Sequence, residues 1–188
     1  MSLFDKLSEK LRDHARDELC TSLQALGIQA QLSERGRPEE DITSSKRFLG
    51  DGSKSLGIID ILEGPIRWLN VKKQVQDEDG WVIAGAEHWV ECGIPDTKVQ
   101  PGFSEVRLKL KRTKKFPLLG RVVRTRWDGK DFGTGVRNRL NQDITVINVQ
   151  IKIGAYPQYC CWILTADKIS IPSELWDYYQ RIAKHLLA

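Results

Sequence analysis

The sequence predicts an α+β protein, with an antiparallel β-meander sheet of about five to seven strands flanked by amphipathic N-terminal and C-terminal helices. Two observations lead to this prediction. Apolar residues recur at helical spacing at both ends of the chain, and β-branched, apolar runs separated by turn residues fill the middle. At 188 residues the chain is near the usual size of one domain, so we expect a single α+β domain over 1–188.

The N-terminal helix is predicted over residues 3–26. Its apolar positions recur at intervals of three and four, and they are Phe4, Leu7, Leu11, Ala15, Leu19, Leu23 and Leu26. Gly27 follows the last of them, as the left-handed residue that ends a helix commonly does. The stripe favours packing against a sheet, but it also suits self-association, so a homo-oligomer formed through the terminal helices stays an open alternative.

The C-terminal helix is predicted to begin next to Pro172, which suits a first helical turn because its missing N–H would have no partner there. Its apolar stripe consists of Leu175, Tyr178, Tyr179, Ile182, Ala183 and Leu186. We expect both terminal helices to cover the same side of the sheet. A less regular pattern predicts a further helix around residues 133–147.

The strands are predicted from β-branched and apolar runs bounded by turn residues. Candidate ranges are 27–32, 57–63, 66–76, 81–91, 106–111, 121–127, 149–153 and 160–165. The runs on either side of Gly64 and Pro65 form a predicted hairpin, and the centre of 81–91 is also compatible with a helix. Residues 33–54 are rich in charge, Gly and Ser, which predicts a long exposed loop.

One basic segment determines the charge of the chain. Nine lysines and arginines and no acidic residue lie between Glu105 and Asp128. The whole chain has 29 basic and 25 acidic residues, a net charge of +4, whereas without these nine it has 20 basic residues and a net charge of −5. A basic element in an otherwise acidic chain indicates a site that meets an anion, such as nucleic acid or another polyanion.

The basic segment is predicted to form a hairpin with one cationic face. In both strands basic residues alternate with others, so that the cations point to one side and Leu108, Val123 and Trp127 to the other. The predicted anion-binding residues are Arg107, Lys109, Lys111, Arg124 and Arg126. Such residues also occur on ordinary solvated strands, but a stripe without acids places like charges opposite one another, which favours a binding role.

A nucleic-acid surface that contacts bases needs aromatic rings on its cationic face. Trp127 lies on the apolar side of its strand, and Phe116 in the predicted turn 114–120 is the aromatic residue that can join the basic face. We therefore expect contacts with a nucleic-acid backbone or with phosphate groups, which require charge without aromatic rings. The predicted role is that of a non-enzymatic binding protein without a cofactor.

The alternative is a metal-dependent, nuclease-like enzyme centred on Asp60 and Lys72. After an N-terminal helix, Asp60 in one predicted strand is followed by Asn70 and Lys72 in the next. This order resembles the PD-(D/E)xK nucleases, in which a strand Asp and an acid two residues before a Lys hold a divalent metal. Asn70 stands where that acid belongs. A two-residue turn pairs Asp60 with Leu69, whereas a three-residue turn pairs it with Asn70, on the face of Lys72.

The four cysteines are Cys20, Cys92, Cys160 and Cys161, without a CxxC pair or clustered histidines, which argues against a metal site. We expect free thiols, with Cys160 and Cys161 on opposite faces of one strand. No apolar run approaches the roughly 20 residues needed to cross a bilayer, and residues 1–27 lack the apolar stretch of a secretory signal. The predicted location is the cytoplasm.

Overall fold

The structure is a computed structural model, and it describes residues 14–42, 53–74, 88–115 and 121–188. These ranges contain three α-helices, two 3₁₀ helices and eight strands in one antiparallel sheet, which confirms the α+β class. The α-helices are α1 (Ala15–Ala25), α2 (Val136–Gln142) and α3 (Ser173–Leu187). The strands are β1 (Ala30–Leu32), β2 (Ser53–Ile61), β3 (Trp68–Gln74), β4 (His88–Pro95), β5 (Arg107–Lys114), β6 (Val122–Lys130), β7 (Ile151–Tyr156) and β8 (Cys161–Ala166). The 3₁₀ helices are Pro38–Asp41 and Pro157–Tyr159.

The order of the strands across the sheet is β1-β2-β3-β4-β8-β7-β5-β6. The prediction of about five to seven strands in a meander is wrong in two respects. The described residues form eight strands, and the order of the strands across the sheet departs from the order along the chain after β4. β4 pairs with β8 instead of β5, and β7 separates β8 from the hairpin of β5 and β6. A run of alternating apolar residues identifies a strand, but it contains no information on which distant strand lies beside it.

The helices differ from their predicted ranges at the ends. α1 ends before Gly27, whose φ of +80° is left-handed as predicted, while residues 3–13 of the predicted helix lie outside the described residues. α2 is shorter than the predicted 133–147. It begins at Val136, because Gly133 and Gly135 have φ of +83° and +74°, which a right-handed helix excludes, and it ends at Gln142. Within the described ranges, no helix is both long and apolar enough to span a membrane.

Residues 33–54, predicted as a long exposed loop, are described as far as Ile42 and again from Ser53. The 3₁₀ helix Pro38–Asp41 lies in the first part, and both Glu40 and Ile42 are buried. The rest of this predicted loop, 43–52, lies outside the described residues. So do residues 75–87, which include the end of one predicted strand and most of the next, and the centre of the basic turn, 116–120.

One face of the sheet, which we call the helix face, packs against the helices. Its side chains form a single buried cluster with Leu19 and Leu23 of α1, Leu140 of α2, and Tyr179 and Ile182 of α3. The apolar stripes of the terminal helices therefore fill the core in their described parts, apart from Ala15, which is half-buried, and Leu26, which is 44% exposed. Self-association through these helices stays a prediction.

The opposite face, here called the far face, carries the alternate residues of each strand. Direct partners in an antiparallel ladder lie on the same face, so the register traces continuous rows across the sheet. One row consists of Ile58, Asn70, Glu91, Thr165, Lys152, Lys109 and Asp128. The next consists of Gln31, Asp60, Trp68, Gly93, Ile163, Gly154, Arg107 and Lys130. The far face therefore includes both the cations of the basic hairpin and the residues of the nuclease hypothesis.

The outer edge of β6 is closed by side chains of α2. Asn141 accepts a hydrogen bond from the Trp127 N–H at 2.9 Å and donates one to the Trp127 carbonyl at 3.1 Å. The carboxamide thus makes both bonds that an added strand would make at this residue. The Arg137 guanidinium also donates to the Gly129 carbonyl at 3.2 Å, so α2 covers a second position of the same edge.

Candidate anion-binding site

The predicted basic hairpin is present as β5 and β6, and exposure alternates along β5. Arg107, Lys109 and Lys111 are exposed, whereas Leu108 and Leu110 are buried in the core. Successive side chains of a strand point to opposite faces, so burying the two leucines against the helices places the three cations on the far face.

β6 follows the same alternation except near its start. Arg124 and Arg126 are exposed on the far face, and Trp127 is buried on the helix face. Val123, predicted to point to the apolar side, is instead 47% exposed. A β-bulge in the ladder after Thr113 makes Val123 the extra residue of β6, which shifts the pattern by one position.

Two further cations join the five predicted residues on the far face. Lys130 is the direct partner of Arg107, and Lys152 of β7 is the direct partner of Lys109. We call the seven residues Arg107, Lys109, Lys111, Arg124, Arg126, Lys130 and Lys152 the basic strip. Lys130 continues the alternation of β6, so the sequence pattern could have predicted it. Lys152 belongs to the strip because β7 lies beside β5, which no sequence pattern indicates.

Three pairs of like charge lie directly opposite one another in the basic strip. They are Arg107 with Lys130, Lys109 with Lys152, and Lys111 with Arg126. Directly opposed like charges destabilise a sheet, on the scale of about 0.2–1 kcal/mol that cross-strand pairs contribute. Burial lowers the pKa of Lys152, and the charge of Lys109 lowers it further. An anionic ligand would relieve this repulsion.

Two acids lie on or beside the basic strip: Asp128 occupies a far-face position of β6 as the direct partner of Lys109, and Glu105 precedes β5. Asp128 forms an ion pair with Lys111, and the Lys111 ammonium holds the pKa of that carboxyl below its ordinary value. Glu105 forms an ion pair with Arg107. The expectation of a stripe without acids is therefore wrong, because Asp128 continues the far-face alternation of β6 and the Glu105 side chain reaches Arg107. Both pairs are largely exposed, and exposed ion pairs are weak, so the cations dominate this surface.

An exposed aromatic residue beside the strip was not identified from the sequence. Trp127 is buried on the helix face as predicted, and Phe116 lies outside the described residues. Phe132, which follows β6, is 59% exposed, and the Nζ atom of Lys130 lies 5.9 Å from the centroid of its ring. Phe132 belongs to no strand or helix, so no periodic pattern could have identified it.

Asp60, the centre of the nuclease hypothesis, is the direct partner of Trp68 rather than of Leu69 or Asn70. Both predicted registers are therefore wrong, because the turn between β2 and β3 is centred on Gly64, which has a φ of +88°. Asp60 nevertheless lies on the far face together with Asn70, which is the face expected for a three-residue turn. Its carboxylate forms an ion pair with the guanidinium of Arg37.

Asn70 and Lys72 hold the segment around Glu40 against the far face. The Asn70 Nδ2 donates to the Glu39 carbonyl at 3.0 Å, and the Lys72 Nζ donates to the Glu40 carbonyl at 2.7 Å. Both side chains are buried, and burial lowers the pKa of Lys72. Across the described ranges, no group of three or more His, Cys, Asp or Glu side chains could hold a metal ion. The geometry thus gives Asn70 and Lys72 a structural role and adds no support to the nuclease hypothesis.

A cleft of about 370 Å³ lies next to Asp60. Its lining includes Arg37, Glu39, Asp60, Arg67, Trp68 and Tyr159. The two guanidinium groups are matched by two carboxylates, and Arg37 forms ion pairs with both Glu39 and Asp60. The cleft therefore has no excess positive charge, and the basic strip is the better site for an anion.

The four cysteines are free thiols, as predicted. Cys161 begins β8 and is buried, whereas Cys160 is exposed and precedes the strand with a φ of +48°. The prediction that both lie within one strand is therefore wrong, although their side chains differ in burial. Burial raises the pKa of the Cys161 thiol to about 12, so this thiol stays protonated and unreactive at neutral pH.

Comparisons with known proteins give no relative from which a role could be transferred. No protein-family model matches the chain, and neither a curated protein nor a solved structure matches it.

Proposed function

We propose that the chain is a non-enzymatic binding protein whose basic strip contacts a nucleic-acid backbone or another polyanion that presents phosphate groups. The observation that carries the proposal is the set of three directly opposed like-charge pairs on one face. A purely structural surface would favour acids at these positions, because opposite charges stabilise a ladder that like charges destabilise. A nucleic-acid partner would also fit the cytoplasmic location predicted from the sequence.

The dimensions of the strip suit a polyanion better than a single phosphate ion. From Arg124 to Lys130 the strand rises about 20 Å, at roughly 3.3 Å per residue. One strand of a duplex has a phosphate about every 3.4 Å along the axis, so the strip can face about six successive phosphates. Counterions released from the polyanion would then supply much of the binding free energy, which makes the affinity depend on salt.

The test is a titration of labelled single-stranded and double-stranded oligonucleotides, followed by fluorescence anisotropy between about 50 and 200 mM salt. The variant carries Lys109→Gln, Arg124→Gln and Arg126→Gln, which leaves the ion pairs of Lys111 and Arg107 intact. If each removed charge contacts one phosphate, the slope of log K against log salt should decrease in magnitude by about 2 to 3, at 0.7 to 0.9 per contact.

The matched control carries Lys54→Gln, Lys168→Gln and Lys184→Gln, three exposed residues outside the strip, and so has the same net charge as the variant. It should keep the slope of the unmodified protein. Equal losses in variant and control would show that net charge and not the strip drives binding, and an unchanged variant would refute the proposal. Oligonucleotide length is followed in the presence of magnesium, because cleavage would instead support the nuclease alternative.

A further inference from the structure

Phe132 combines exposure with a constrained backbone at the end of the basic strip. It is the one exposed aromatic residue within the described ranges, at 59%. Its φ of +45° lies in the left-handed region, which is uncommon for a residue other than glycine. An exposed ring in a strained conformation buries little apolar surface and stabilises the fold little, so packing does not explain this position.

The loop around Phe132 is fixed by hydrogen bonds to Asp131. The Asp131 carboxylate accepts hydrogen bonds from the backbone N–H groups of Gly133 at 3.3 Å and Arg137 at 3.2 Å. The Asp131 carbonyl accepts a third from the N–H of Thr134 at 3.0 Å. Both ends of the turn are thereby tied to one residue, so the protruding ring is presented by an ordered loop.

The ring lies where the basic strip ends. The Lys130 ammonium is 5.9 Å from the ring centroid, near the outer limit of a cation–π contact, and Lys130 is itself the direct partner of Arg107. A ligand whose phosphates follow the strip toward Lys130 therefore meets an aromatic ring next. Cations beside an exposed aromatic ring are typical of sites that bind single-stranded nucleic acid. The unpaired bases can stack on the ring while the phosphates contact the cations.

We infer that Phe132 is a base-stacking contact and that the partner of the basic strip is a single-stranded nucleic acid. This inference rests on the proposed function of the strip and narrows it. A duplex keeps its bases stacked inside, so it gains nothing from an exposed ring beside its backbone. The structure thus assigns two roles to neighbouring residues: the strip binds phosphates, and Phe132 selects strands whose bases are unpaired.

The test compares Phe132→Ala, Phe132→Leu and Phe132→Tyr with the unmodified protein, using a labelled oligothymidylate of about 15 nucleotides and a duplex of the same length. Loss of one stacked base weakens binding by about 5-fold to 150-fold. We expect this loss for the single strand with Ala and with Leu, and recovery with Tyr. Duplex affinity and the salt slope should stay unchanged, because no charge is removed.

Three outcomes would overturn the inference. Single-strand affinity that is unchanged in the Ala variant would remove Phe132 from the site, and full affinity in the Leu variant would show an apolar contact without stacking. Equal losses for single strand and duplex would show a general role. If salt-dependent oligonucleotide binding persists in these cases, the proposed function survives without the inference.

If the unmodified protein binds neither oligonucleotide at low salt, the proposed nucleic-acid function fails together with the inference. Binding to vesicles of phosphatidylserine would then identify a membrane surface as the anionic partner. If that binding depends on Phe132, the ring contacts the membrane and the base-stacking inference is wrong. Thermal unfolding of each variant shows whether the fold is intact. Because the ring is exposed, we expect melting temperatures close to that of the unmodified protein.

Discussion

The contact between Trp68 and Gly93 leads to a quantitative prediction for the substitution Gly93→Ala. The two residues are direct partners on the far face, and the buried indole of Trp68 lies against the glycine. A Cβ atom at position 93 would lie 1.9 Å from Cε2 and 2.2 Å from Cζ2 of the ring, so alanine cannot be accommodated unless the indole moves. Forced repacking of a dense core destabilises by roughly 1–3 kcal/mol.

We expect a loss at the upper end of that range, about 3 kcal/mol, because the clash involves several atoms of a rigid ring rather than the tip of a flexible side chain. For a chain of this size such a loss lowers the melting temperature by about 6–12 °C. Urea unfolding followed by far-ultraviolet circular dichroism measures the free energy of unfolding directly. Gly154→Ala is the matched control. It lies in the same row, but its Cβ would come closer than 3 Å to a single atom, the Cε2 of Tyr156 at 2.9 Å, so a smaller loss is expected.

A double-mutant cycle with Trp68→Leu separates the clash from other effects of alanine at position 93. In the Trp68→Leu background the added methyl group enters space that the indole has left, so Gly93→Ala should destabilise by less than about 1 kcal/mol. A coupling free energy of about 2 kcal/mol is therefore expected. The reasoning, and with it the register of β3 and β4, is refuted if Gly93→Ala destabilises equally in both backgrounds.

Two further predictions concern other parts of the fold. Burial raises the pKa of Cys161 from 9.0 to about 12, so its contribution to stability is complete below pH 9.0 and is lost as the pH rises toward 12. Above about pH 9 the free energy of unfolding of Cys161→Ala should therefore fall less steeply than that of the unmodified protein, with slopes that differ by up to about 1.4 kcal/mol per pH unit. Parallel pH profiles of the two proteins would contradict this prediction. Asn141→Ala removes both hydrogen bonds to the Trp127 backbone and should destabilise by about 2 kcal/mol. Amide hydrogen exchange should then be faster at Trp127, whereas unchanged protection there would show that the carboxamide does not close the edge.

The predictions that succeeded depend on patterns within one element. The apolar stripe before Leu186 identified α3, and the alternation of Lys109 and Leu110 identified the basic hairpin and its cationic face. These patterns are readable because a helix or strand repeats its exposure over a few residues. Gly27 is a comparable case, since the left-handed end of a helix has its own residue preference.

The predictions that failed depend on geometry that no short pattern contains. Lys152 joins the basic strip only because β7 lies beside β5, and nothing local in either strand specifies that neighbour. Val123 is exposed because one extra residue enters the ladder. Asp60 is paired with Trp68, one residue before Leu69 and two before Asn70, because its turn is centred on Gly64. A displacement of one residue is enough to change every partner along a strand.

The pairing of β4 with β8 also determines the order in which the sheet can be completed. β4 can pair with β3 as soon as both are made, but its other edge finds its partner only when the chain has been synthesised as far as Ala166. Until then a strand that carries Val90, Cys92 and Ile94 has one open ladder, and open ladders of apolar strands are where partly folded chains associate. A chain that stopped short of Cys161 would keep that edge open permanently. The sheet therefore depends on β8 to bring its two parts together.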